Sequence, residues 1–101
     1  MLFSEEVIRE RLRDVLDPEL RFSVVDLGLI YDIAVTGATV RVTYTLTTPA
    51  CPIGPVIAAL IHEAVMDIPG VRDVELILTF SPPWDPRTMA SEDARIELGI
   101  W

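Results

Sequence analysis

Between residues 39 and 68 the chain changes its hydrophobic period in mid-course. Val40, Val42, Tyr44 and Leu46 alternate with Thr39, Arg41, Thr43 and Thr45, the period of two of a strand with one buried face. Past the proline-rich stretch PACPIGP the period lengthens. Val56, Ile57, Leu60, Ile61, Ala64, Val65 and Ile68 then make a wide helical stripe that Pro69 and Gly70 bring to an end. A chain patterned this way has to bury a sheet face against a helix.

The flanks extend that frame. IYDIAV, followed by a turn at Thr36, Gly37 and Ala38, predicts a strand that forms a hairpin with the alternating segment. VRDVELILTF, with Val74, Leu76, Leu78 and Phe80 turned inward, predicts a third strand. A first helix is expected after Ser4, a good N-cap, with Glu5 and Glu6 where the helix dipole favours carboxylates. Its apolar face is Ile8, Leu12, Val15 and Leu16, and Pro18 should stop it near Asp17. A last helix, about Thr88 to Leu98, ends at Gly99 as a C-cap. The order αββαβα describes an α+β (α/β-class) fold: one domain over residues 1–101, with a mixed sheet of about three strands and helices packed on it.

Composition narrows the functions open to this fold. The formal net charge is -8 and every basic residue is an arginine, which speaks against a nucleic-acid surface and removes lysine Schiff-base chemistry. No apolar run is long enough to cross a bilayer and the N-terminus lacks a signal-peptide pattern, so no membrane association and a cytoplasmic location are expected. One cysteine, Cys51, and one histidine, His62, supply neither an intrachain disulfide nor a closed Cys/His zinc site.

The single thiol lies in TLTTPACPIGP, where the strand gives way to the helix. Prolines are tolerated in the first turn of a helix and not further in, so Pro52 and Pro55 require the helix to begin between Cys51 and about Pro55. Cys51 is thereby placed at or just ahead of a helix N-terminus, whose free N–H groups and positive dipole end favour the thiolate, the form that acts as nucleophile and metal ligand. Thr47 and Thr48 can donate hydroxyl hydrogen bonds to the sulfur or cap the turn. A free cysteine is otherwise a small buried apolar residue. His62, eleven positions on and about 16 Å away along a helix, is a surface residue rather than a partner to Cys51. Asp17, Glu19 and Asp26 cluster between the first helix and first strand, either as turn formers or as oxygen ligands or a general base beside the thiolate.

DPEL (17–20), VDLGLIYDI (25–33), TLTTPACP (45–52), IPGV (68–71), SPPW (81–84) and MASEDARIELG (89–99) together resemble the MIP18-like family, which includes SufT-like and PaaD-like proteins and eukaryotic cytosolic iron–sulfur targeting factors. The resemblance implies the fold of an iron–sulfur cluster assembly domain and an accessory role in iron–sulfur protein maturation. It implies a site of Cys51 as the reactive, cluster- or iron-binding residue, supported by Asp17, Glu19, Asp26 and Thr48. Transient iron or an iron–sulfur cluster is then the cargo, and assembly machinery and client apoproteins are the partners. The chain has no C-terminal cysteine-rich segment, which favours a SufT-like form over a PaaD-like subunit of a ring-oxygenase system.

The expected role is thus a carrier or adaptor rather than a turnover enzyme. Two other readings stay open: a thiol enzyme with Cys51 as nucleophile, and a pure adaptor with a structural Cys51. A dimer is expected too, because two chains would contribute two thiolates. Trp84 and Trp101 are expected to cover the core or to meet a partner.

Overall fold

The structure is a computed structural model, described here for residues 4–18, 20–47 and 54–99. Helix α1 spans Glu5–Leu12 and is capped by the Ser4 hydroxyl, which accepts from Val7 N. Strands β1 (Ile30–Thr36) and β2 (Thr39–Tyr44) form the expected antiparallel hairpin. Gly37, at φ 61, occupies the first position of its two-residue loop, as the primed hairpin turns require. Helix α2 (Gly54–Met66) then crosses over to β3 (Asp73–Leu78), which pairs parallel with β2. The sheet order is β1-β2-β3, so the central strand is the one that feeds α2.

The core is one continuous cluster. Val40 and Val42 from β2, Ile57, Ile61 and Val65 from α2, Ile8 and Leu12 from α1, and Val24, Leu27 and Leu29 from the loop before β1 are all essentially sealed. None of the helices among the described residues is long and apolar enough to cross a membrane.

Four expectations need correction. Helix α1 stops at Leu12; Leu16 instead enters an isolated antiparallel bridge with Ser23 and is half exposed. The helical stripe of α2 is narrower than its sequence suggests, because Val56 lies outside the buried line of Ile57, Ile61 and Val65. The inward face of β3 is incomplete: Val74 is buried and Leu76 and Phe80 pack partly buried against the core, but Leu78 is exposed. The last helix is two: α3 (Pro86–Met89) and α4 (Glu92–Leu98), separated because Ala90 is extended and Ser91 starts a new helix as its N-cap. Gly99, at φ 77, closes α4 as expected.

Strand β1 also breaks strict alternation. Ile30 faces Tyr44 and Asp32 faces Thr43, so Tyr31 is an extra residue in a β-bulge. Ile30 and Ile33 can therefore both be buried although they are an odd number of positions apart. Bulges re-aim side chains, and the Tyr31 hydroxyl donates to the carbonyl of Pro82 at 2.7 Å.

Two measurements test this packing. Ile61→Ala, at a fully buried site, should cost about 2–5 kcal/mol in urea unfolding, whereas Val56→Ala should cost under about 1 kcal/mol. Burial raises the Tyr44 phenol above its ordinary value near 10. The fold favours the neutral form, so this contribution is intact below about pH 10 and is lost as pH rises through the raised folded value. The urea midpoint should fall between pH 9 and pH 11, and Tyr44→Phe should reduce that fall.

Candidate functional site

Three pieces of backbone converge at the end of the sheet where β2 gives way to α2. Thr45, fully buried, donates its N–H to Leu29 O at 2.8 Å, which ties the exit of β2 to the end of the acidic loop. Leu46 is buried next in the chain, and its Cδ1 lies 3.0 Å from where a Cβ on Gly54 would stand. Gly54 is the first residue of α2, so its lack of a side chain lets the helix start close against Leu46. Leu46 and Gly54 bracket the segment that carries Thr48 and Cys51; both of those lie outside the described residues, as does Glu19.

Helix α2 differs from its neighbours in its first turn. Helix α1 carries Glu5 and Glu6 there and α4 carries Glu92 and Asp93, whereas α2 has no acidic residue. Its first turn therefore adds no carboxylate of its own to the positive end of the dipole.

Asp17 is almost completely buried in a tight hairpin loop. Its N–H donates to Phe22 O at 2.9 Å, its carbonyl accepts from Arg21 N at 2.7 Å, and its Oδ1 accepts from Leu20 N at 3.0 Å. Arg21 closes the loop at φ 57, a left-handed conformation that costs a non-glycine residue about 1–2 kcal/mol. Val24 N donates to Val15 O and Leu29 N to Val24 O, so this hairpin and the end of the loop form one hydrogen-bonded unit with Thr45. The Asp26 carboxylate accepts from Arg13 Nη1 at 3.3 Å. Among the described residues no three His, Cys, Asp or Glu side chains converge as a metal site. His62 is exposed on α2, as expected.

The C-terminal segment is the part of this region that sequence reasoning missed. Its residues are laid across the acidic loop: the Trp84 indole N–H donates to Leu27 O at 2.7 Å, Ser91 N donates to Asp26 O at 2.6 Å, and the Tyr31 hydroxyl reaches Pro82 O and Met89 Sδ. Gly28, at φ 80, leaves so little room that a Cβ there would stand 2.3 Å from Met89 O. The broken alternation of IYDIAV and the indole's need for an acceptor were the available signals. Trp84 is half-buried against the core; Trp101 lies outside the described residues.

A small α+β domain with a mixed three-stranded sheet, whose acidic loop and β2–α2 turn are joined at one end, can be compared with known proteins. Residues 5–76 match the family model described as "Iron-sulfur cluster assembly protein". The chain belongs to that family. It is 40% identical over 102 residues to the Fe-S protein maturation auxiliary factor YitW of Bacillus subtilis, covering 95% of this chain and 98% of that one. It is 42% identical over 82 residues to an iron-sulfur cluster carrier protein of Synechocystis, covering 81% of this chain but 23% of that larger protein. A solved structure of a conserved hypothetical protein from Thermotoga maritima superposes with a TM-score of 0.85 at 40% identity, over 97% of this chain and 96% of that one.

Gly28→Ala combines positive φ with a backbone collision and should cost about 2–3 kcal/mol. Hydrogen exchange should quicken selectively in residues 81–99 and in the Asp26–Tyr31 loop. Trp84→Phe, which removes one hydrogen bond, should cost about 1 kcal/mol and loosen the same amides more mildly.

Proposed function

We propose that this protein is an accessory factor in iron–sulfur protein maturation that transiently holds iron or an iron–sulfur cluster through Cys51 and passes it on. The observation that carries the reading is the junction itself: Thr45 bonded to Leu29, and Leu46 packed on Gly54 at the start of α2, whose first turn has no acidic residue. A thiolate in the turn between them gains from the helix dipole without competing carboxylates in that helix. Homologues named as maturation factors and as a cluster carrier support the same role.

The roles proposed for the other residues follow from chemistry. Thr48 would donate a hydroxyl hydrogen bond near the sulfur, and Glu19 would offer a carboxylate from the Asp17 hairpin. Asp17 and Asp26 would hold that hairpin and the following loop in place, since their carboxylates already accept from Leu20 N and Arg13. One thiolate does not complete a cluster's coordination, so the remaining ligands would come from a second copy or from the protein that gives or receives the cargo. The partners are accordingly assembly machinery and client apoproteins. That a homologous domain makes up 23% of a larger carrier protein supports a function in contact with other protein.

Anaerobic reconstitution with iron and sulfide tests the role of Cys51. Wild-type protein should gain iron and the visible absorbance of a thiolate-ligated cluster or iron, and Cys51→Ser should lose both. Rapid alkylation near neutral pH, faster than for an ordinary free cysteine, should accompany it. Equal iron retention in Cys51→Ser would overturn the assignment, and rapid alkylation without any metal uptake would favour the thiol-enzyme reading.

A further inference from the structure

A second feature lies away from the β2–α2 turn, along the other half of α2. An open groove of about 990 Å³ runs between the segment after α1 and the C-terminal half of α2, with Leu16, Leu60, Ala64 and Met66 on its apolar surface. Leu16 is 50% exposed and Met66 38%, so the groove presents apolar area from both of its walls. Asp14, Glu63 and Asp67 edge the groove, and a shallower extension along α1 adds Glu6, Glu10 and the exposed Val7.

Its charge is one-sided. Arg11 is the one arginine lining either part and is engaged by Asp67 at 3.2 Å, Glu10 is engaged by Arg13 at 3.1 Å, and His62 lies among the carboxylates of the α2 side. Glu6, Asp14 and Glu63 have no ion-pair partner among the described residues. An apolar surface bordered by unpaired carboxylates fits a segment that is apolar along one line and cationic on both sides of it.

We propose that this groove docks a basic amphipathic helix of a partner protein, with apolar residues set between Leu16 and Met66 and Lys or Arg side chains over Asp14 and Glu63. A second copy of the chain fits poorly. Each copy carries a net charge of -8, and apposing two such grooves would bring like-charged rims together. The inference is independent of which residue carries the cargo, because it uses no atom of the β2–α2 turn.

The test uses the full chain, isotopically labelled, and a synthetic helical peptide of leucine and lysine with its leucines on one face. A glutamate-for-lysine version of the peptide is the control. Amide shifts should centre on residues 14–16 and 60–67, and the control should not bind. Leu16→Glu separates docking from general attraction to an acidic protein. It adds negative charge but spoils the apolar surface, so it should weaken binding at least tenfold, as should Met66→Glu. Asp14→Asn with Glu63→Gln should weaken it several-fold and flatten its salt dependence. Both apolar positions are exposed, so the variants should keep the wild-type circular dichroism.

Shifts spread over the whole acidic surface, unchanged or tighter binding by Leu16→Glu, or no binding at all would overturn the proposal. So would a dimer of the free protein that Leu16→Glu dissolves.

Discussion

The parallel pairing of β2 with β3 is the constraint on which the rest of this structure depends. An antiparallel neighbour can be reached through a two-residue turn, as β1 reaches β2, but a parallel one requires the chain to travel back along the sheet. Helix α2 makes that return, and its line of Ile57, Ile61 and Val65 buries the same sheet face that Val40 and Val42 present. The turn from β2 into α2 is therefore forced to the carboxyl end of the central strand. Open sheets with parallel strands bind ligands at that edge, because strand ends and helix starts leave polar backbone groups there. The position of the TTPACP segment is in this sense a consequence of strand direction.

The loops around that turn are held by backbone more than by side chains. Thr45 N, Leu29 N, Val24 N and Ser91 N each donate to a carbonyl in a neighbouring piece of chain, which links β2, the acidic loop, the Asp17 hairpin and the C-terminal segment in series. Side chains mostly set direction. Asp17 Oδ1 fixes Leu20, Tyr31 is swung out by its bulge to meet Pro82, and Gly28 removes the Cβ that would keep Met89 away. Even a left-handed Arg21 is tolerated within this network. Strain of that size persists only where the surroundings over-determine the conformation.

Much of this was legible before any coordinates. The hairpin, the Ser4 cap, the start of α2 near Pro55 and the Gly99 stop each follow from a local rule that the residue types enforce on their own. What escaped depends on distant neighbours. Leu16 carries the right spacing for α1, but the Leu16–Ser23 bridge takes it out of the helix. Leu78 keeps the alternation of β3, yet it is exposed at the end of that edge strand. The break at Ala90 comes from Ser91, whose N–H is drawn to Asp26 O while its hydroxyl caps a fresh helix. For the site, the sequence marked Asp17, Asp26 and the cysteine turn as candidates, but it carried no sign that Leu29 and Thr45 join their loops. Nor did it show that the C-terminal segment would lie over that junction.

Helix α2 thereby serves three surfaces at once. Its buried stripe is spent on the sheet, its first turn is bare of acidic residues, and its last turn carries Glu63 and exposed Met66, with Asp67 just past its end. Carboxylates near the C-terminus of a helix are unfavourable against the negative end of its dipole; Arg11 offsets Asp67, whereas Glu63 has no ion-pair partner among the described residues. A cationic partner would relieve both that local repulsion and part of the chain's overall negative charge, whereas carboxylates in the first turn would have competed with a thiolate for the positive end. The two ends of one helix are thus biased toward opposite kinds of charge, and a rigid, well-packed helix keeps them apart. Cargo and partner can then be engaged by the same element without either contact disturbing the sheet on which both are mounted.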